Sequence, residues 1–256
     1  MALIDNVLLH YKFNSDATDE HGSLDLTEVN SPAYASALLG NGIDFELGSS
    51  QYAYESTNAA SINSAFSGTG EWTMAFWFKP ESHTSSASLA GRWHATNAYK
   101  QIGTDLLNTG VLRAYVYTTS SVVVTGPTLS DGTWYHVVVW RSIADGQLYL
   151  RVNDSTTYNT ALSGATNIQS VGGVTTPFTV GARSDASNYA DGLMDSLTIW
   201  TRAITGAEIT ALYNSGSGFD YPFSTGGSSF EPIYMARQQA RVPFIARPAE
   251  VGIFRR

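Results

Sequence analysis

The stretch that decides the fold is Trp72-Thr73-Met74-Ala75-Phe76-Trp77-Phe78-Lys79-Pro80. Aromatic, apolar and β-branched residues follow one another with no charge until Lys79, and Pro80 closes the run. Such a stretch fits a pleated sheet packed on a core, where bulky side chains lie on both strand faces. Trp134-Tyr135-His136-Val137-Val138-Val139-Trp140 repeats the texture, placing Trp134 and His136 on one face and Tyr135 and Val137 on the other. Working outward, alternating runs recur at Leu8–Phe13, Gly42–Phe45, Leu112–Tyr117, Gln147–Val152, Phe178–Gly181 and Leu197–Trp200. Clusters of Gly, Asn, Asp and Ser separate them, and helical periodicity is almost absent. Many short strands with turn signals between them imply an all-β, antiparallel two-sheet sandwich. Its aromatic residues fill the ~10 Å between the sheets.

One stretch departs from this pattern. Thr205 stands three residues before Glu208, the spacing of a capping box. Ile209, Leu212 and Tyr213 then share a face, and Asn214 with Gly216 ends the turn. One short late helix is expected here.

The chain has 256 residues, 43% of them apolar, enough for a large core. Charged residues make up 14%, against about 25% in ordinary domains. The surface is therefore carried by Ser, Thr, Asn, Gly and Tyr, as in extracellular or particle-surface sandwiches. Without cysteine, disulfides, thiolate zinc sites and cysteine nucleophiles are excluded. No apolar run approaches the ~20 residues needed to span a bilayer. Strand-like residues already at Leu8 leave no secretory signal to expect.

The net charge of -8 is unevenly divided. Residues 1–223 carry nine cations and twenty acids, whereas the remainder holds five arginines and two acids. An acidic body repels phosphate, so nucleic acid is not an expected partner of the body. From Ser215 the composition also shifts, so the reading is a sandwich over 1–215, a Gly/Ser linker over 216–229 and a basic, apolar arm over 230–256. Pro232, Pro243 and Pro248 oppose a helix or central strand, yet the arm is too apolar for a solvated linker. Ile233, Tyr234, Arg237, Arg241, Phe244, Arg247 and Phe254 are its candidate assembly residues, toward another subunit or another copy of the acidic body.

Taken in order, several segments resemble the concanavalin A-like, laminin-G-type jelly-roll family. Leu9–Phe13 is similar to its first strand, and Asp19-Glu20-His21-Gly22 to the Asp-x-x-Gly loop that follows. Gly40–Phe45 with Tyr52-Ala53-Tyr54, Trp72–Pro80 and Trp134–Val138 resemble later family strands. Gln147–Asp154 does so too, with Asn153-Asp154 in place of the family's Asp-Gly. Gly192–Trp200, followed by the helix at Ile204–Leu212, completes the series, which covers roughly residues 5 to 215.

The resemblance implies a calcium between Asp19 and Asp195, with backbone carbonyls around His21 and Gly22. Two aspartates plus loop carbonyls suit a hard cation that takes six to eight oxygens. The alternative is an Asx-turn at Asp19 and a backbone-amide partner for Asp195. The fold also hosts glycosidases, which need two facing carboxylates. The Glu-x-Asp-x-x-Glu spacing of the glucanase relatives is missing, since Ser23 stands where Asp25-x-x-Glu28 would need its first Glu. The sequence is accordingly read as non-catalytic. The five histidines show no zinc-ligand spacing. Candidate ligand residues are the loop groups Trp93, Tyr99, Arg183 and Tyr189, since sugars bind aromatic faces framed by polar groups; the alternative is that Trp93 and Tyr99 pack under their own loops.

Two functional expectations follow. The first is a phage virion structural or accessory protein, a capsid decoration or tail fibre, that displays the sandwich at the virion surface and is anchored by its arm. The second is an extracellular or cell-surface, calcium-dependent lectin-like module that binds host-surface glycan.

Overall fold

The computed structural model describes residues 2–57, 60–162, 167–172 and 176–223. The first third of the chain forms β1 (Val7–Tyr11), β2 (Leu26–Val29), β3 (Ala33–Ser36), β4 (Asn41–Phe45) and β5 (Tyr52–Glu55). After helix α1 (Ala60–Phe66) come β6 (Trp72–Pro80), β7 (Ala87–Arg92), β8 (Ile102–Leu106), β9 (Val111–Tyr117) and β10 (Ser121–Thr128). The last set is β11 (Tyr135–Ser142), β12 (Gln147–Val152), β13 (Thr157–Ala161), β14 (Thr179–Val180) and β15 (Gly192–Trp200), followed by helix α2 (Gly206–Tyr213). The candidate assembly residues Ile233, Tyr234, Arg237, Arg241, Phe244, Arg247 and Phe254 lie outside the described residues.

The strands form two antiparallel sheets, as expected. Sheet A runs β13-β12-β11-β6-β15-β4-β3, and sheet B runs β10-β9-β8-β7-β14-β5-β2. Strands β1 and β4 share one edge of β15, with β4 along Gly192–Met194 and β1 along Leu197–Trp200. Between the sheets, Trp72, Met74, Phe76 and Phe78 of β6 meet Leu9, Tyr11, Phe45, Leu112, Val116, Leu150 and Phe178 in one continuous core. Phe66 of α1 closes one end edge-to-face on Trp72, with ring centroids 5.2 Å apart. Helix α1 was not expected from the sequence; its polar Ser-Ile-Asn-Ser repeat hides an apolar side made of Ile62, Ala65 and Phe66.

A second, smaller core lies on the far side of sheet A. Leu3, Val7, Ala75, Val138, Trp200, Ile204, Ile209, Leu212 and Phe223 are buried there. The capping box forms as the sequence required: Thr205 Oγ1 accepts from the Glu208 amide, and Glu208 accepts from the Thr205 amide at 2.7 Å. Arg202 donates to both Glu208 carboxylate oxygens and ties the helix start to the sheet. Asn214 caps the C-terminus in the left-handed region.

Residues 216–223, read from sequence as the start of a linker, pack on this second core. Phe223 is buried and stacks on Trp200 at 5.8 Å, and Tyr221 stacks on His10 at 4.7 Å. The glycines at 216 and 218 disguised an aromatic run, Phe219-Asp220-Tyr221-Pro222-Phe223, that belongs to the body.

Removing such a ring leaves a cavity. Phe223→Ala is expected to lower unfolding free energy by about 3 kcal/mol. Urea denaturation should show this as a lower midpoint at unchanged slope; a midpoint equal to the parent's would mean that the 219–223 run adds nothing to the core.

Candidate ligand-binding surface

Sheet B presents an aromatic outer face. In β9, Leu112, Ala114 and Val116 enter the core, so Arg113, Tyr115 and Tyr117 point outward. The neighbouring strands offer little bulk at this level, because Gly91 of β7 pairs with Gly103 of β8. Tyr115 lies flat across Gly103, where a Cβ would sit 2.4 Å from the ring. A Cβ on Gly91 would sit 2.5 Å from the Ile102 carbonyl oxygen. Gly103 lets the aromatic layer settle onto the sheet backbone, and Gly91 lets β7 and β8 approach closely.

Trp93 packs on Tyr115 with centroids 4.2 Å apart and meets Tyr117 edge-on at 6.3 Å. Burial, chiefly, raises the Tyr115 phenol well above its ordinary range. The Lys100 ammonium lies over the two half-buried rings, 5.2 Å from Trp93 and 5.9 Å from Tyr117. A second aromatic group joins Tyr52, Tyr54 and Tyr189, with Tyr52 6.0 Å from each of the others.

Two loops hold these groups in place. Residues 93–101 join β7 to β8, closed by the Gln101 amide on the Arg92 carbonyl at 2.9 Å. Residues 181–190 leave β14 and are closed by the Ala190 amide on Gly181 at 2.8 Å. The loops are latched to each other. The Trp93 amide donates to Ser184 Oγ, the Ser184 amide donates back to the Trp93 carbonyl, and the Ala95 amide donates to Asp185 Oδ2. Asp185 also accepts from Arg183 Nε at 2.8 Å and Ser187 Oγ at 2.7 Å. Burial alone would raise this carboxyl; the hydrogen bonds from Arg183, Ser187 and Ala95 outweigh it and hold it at about 2. Alongside, Arg113 clamps Asp105 through Nε and Nη2.

The structure therefore brings Trp93 and Arg183 together. It places Tyr189 in the neighbouring tyrosine group and Tyr99 at the loop tip, edge-on to His94 at 5.3 Å. Tyr52, Tyr54, Tyr115 and Tyr117 were not singled out from sequence. Their signal was parity: in each strand they alternate with residues small or apolar enough for the core.

Asp19 and Asp195 take separate roles. Asp19 Oδ1 accepts from the His10 and His21 amides, and Oδ2 from the Leu24 amide. That carboxylate is engaged in shaping its own loop. Asp195 is fully buried on β15, where a bulge follows it, and the Leu39 amide donates to its Oδ2 at 2.7 Å. Among the described residues its buried Oδ1 has no hydrogen-bond partner. Burial pushes the Asp195 carboxyl up to about 7 against the Leu39 amide, and the Asp220 charge adds to the rise. A buried oxygen without a donor fits a cation; the Asp19 oxygens, already holding three amides, fit less well. On the far side of sheet A, Asp44, Glu46 and Glu81 bring one carboxylate oxygen each within 4.8 Å of the others. Glu46 and Glu81 are exposed.

Two antiparallel sheets with a helix behind one and an aromatic, polar-framed outer face on the other define the class: a jelly-roll sandwich. The family model described as concanavalin A-like lectin/glucanases superfamily matches residues 47–210, and the chain belongs to that superfamily. Domain 4 of AbnA, an extracellular arabinanase from Geobacillus stearothermophilus solved with arabinotriose, is similar in fold. It shares 17% identity with a TM-score of 0.60, over 80% of this chain and 97% of that domain. The binding domain of Paraclostridial Mosquitocidal Protein 1 gives 16% identity and a TM-score of 0.64, over 84% of this chain and 53% of that one. Botulinum neurotoxin type C, whose cell entry depends on interaction with two ganglioside molecules, gives 13% and 0.61, over 83% of this chain and 52% of that one. The chain thus spans nearly all of the arabinanase domain and about half of the toxin chains. A search of curated proteins by sequence finds no match.

Because the Asp195 carboxyl is raised, the folded state keeps a proton that the unfolded chain releases near pH 4. Its contribution to stability is full below that pH and is lost as pH rises through about 7. In chelator, the parent should lose thermal stability relative to Asp195→Asn between pH 4 and pH 7. Parallel melting curves for the two proteins across that range would show that Asp195 titrates normally.

Proposed function

We propose that this protein is a non-catalytic carbohydrate-binding module that recognises glycan on the outer face of sheet B. The observation that carries this reading is the joint placement of Trp93, Tyr117 and the Tyr52–Tyr54–Tyr189 group beside Arg183, Asp185, Arg113 and Asp105. Sugar rings present C–H faces to aromatic side chains and hydroxyls to polar groups, and this surface supplies both. The arabinanase domain and the toxin binding domains, whose descriptions name arabinotriose and gangliosides, lend support by fold. Calcium belongs to the same reading, with the unpaired Asp195 oxygen and carbonyls near His21 and Gly22 as its donors.

A glycan array probed with the full chain tests this, with and without chelator. Saturable binding is expected, lowered at least tenfold by Trp93→Ala in a protein that still melts cooperatively. Asp195→Asn should remove any dependence on calcium. Binding that is indifferent to Trp93 would move the site elsewhere.

The division of charge favours a second element, display on a virion surface. Residues 1–223 carry a net of -11 and the following segment +3, so the arm suits an acidic neighbour, another virion subunit or another copy of this chain. Deleting residues 224–256 should leave glycan binding intact and abolish co-sedimentation with particles; undiminished co-sedimentation would remove the anchoring role.

A further inference from the structure

Resting on the glycan-binding reading, we infer that the ligand carries an anionic substituent, a carboxylate or sulfate, read by Lys100 with Arg183 beside Trp93.

The inference comes from how the few cations of an acidic body are used. Lys12 pairs with Asp220, Arg151 with Asp154 and Arg202 with Glu208. Arg92 is buried, its Nε donating to the Thr176 carbonyl, and Lys79 sits among the Asp44 and Glu81 carboxylates. Lys100, Arg113 and Arg183 gather on the outer face of sheet B. There Asp105 neutralises Arg113 and Asp185 neutralises Arg183. On this face Lys100 is the surplus charge: among the described residues no carboxylate reaches it, and the one hydrogen bond of its ammonium is to Asn97 Oδ1 at 2.7 Å.

The ammonium is also held in position. Residues Asn97–Tyr99 form a single 3-10 turn, and Gln169 Nε2 donates to the carbonyls of both Asn97 and Lys100. The half-buried Lys100 therefore points a fixed charge across the two rings that a sugar would approach, with two ammonium protons unassigned. Arg183 donates Nε to Asp185, and among the described residues its terminal amino groups have no hydrogen-bond partner, on the other side of the Trp93–Ser184 latch. In a body whose overall field repels anions, a local unneutralised cation on an aromatic face selects a ligand with its own negative group.

Matched oligosaccharides decide it: lactose against sialyllactose, a neutral chitobiose unit against one alternating with glucuronate, and lactose against its sulfated form, each titrated calorimetrically into the full chain. The anionic member should bind roughly fivefold tighter in at least one pair, the size of an exposed ion pair. The sialyl, uronate and sulfate arms then identify the source of the charge. Lys100→Gln should bring that ratio close to one, Lys100→Arg should keep it, and Lys79→Gln on the other sheet should leave it unchanged. Preference should also shrink with added salt. If neutral members bind and no anionic partner binds better, the charge inference falls and the glycan-binding reading stands. If no saccharide on the array or in the titrations binds, both fall.

Discussion

Burial of β15 on both faces is the constraint on which the rest of the structure depends. All nine residues from Gly192 to Trp200 are buried, a pattern that a strand with one wet face cannot have. On the inner side Met194, Leu197 and Ile199 join the aromatic core. On the outer side Trp200 needs a cover, supplied by α2 and by the run ending at Phe223. The Trp200 indole N–H, which would cost free energy if buried unpaired, donates to the Leu3 carbonyl at 2.7 Å. Covering sheet A in this way leaves sheet B as the sheet whose outer face carries the grouped aromatic side chains.

The cover has an electrostatic consequence. Three titratable groups lie beneath or beside it: His10, His136 and Asp195, each at most 2% exposed. Burial pushes both histidines down to about 3, so their rings are neutral and serve as aromatic surfaces, His10 against Tyr221 and His136 against Trp77. Asp195 moves the opposite way for the same reason, because low polarity disfavours charge of either sign. The second core is thus held by rings and neutral polar groups, with the charged contacts, Lys12–Asp220 and Arg202–Glu208, at its margin.

Strands rich in aromatic and β-branched residues were legible in the sequence. β6, β9, β11, β12 and β15 could be read because Trp, Tyr, Phe, Val and Ile alternate or run together there. Strands β7, β8 and β10 were not read: Ala87-Ser88-Leu89-Ala90-Gly91 and Ile102-Gly103-Thr104-Asp105 carry small and polar residues that suit turns equally well in isolation. Their strand state comes from pairing with neighbours; Gly103 is needed because Tyr115 lies on it, and Gly91 because the backbone of β8 comes so close. The site shows the same division. Trp93 and Arg183 were visible as loop aromatic and polar residues, but the latch between them spans ninety-odd positions of chain and follows from topology alone. The His136 reading held because parity fixed its face and Trp77 lay opposite in register. The capping box held because its geometry is local.

The proposed reading as a binding module is consistent with where the carboxylates sit. Glycosidic cleavage needs one carboxyl that keeps its proton and a second that is free to attack or to activate water, both facing one sugar. On the aromatic face the carboxylates are bound up: Asp185 is held at about 2 by three donors, and Asp105 is clamped by Arg113. Neither can hand over a proton or approach an anomeric carbon without first breaking its ion pair. Raised carboxyls occur on both sheets: burial lifts Asp44, Glu81 and Asp195 at sheet A, and it lifts Asp105 on sheet B against the hydrogen bonds from Arg113. The proposed role as a binding module asks of Asp105 and Asp185 only that they stay ion-paired and frame the aromatic groups.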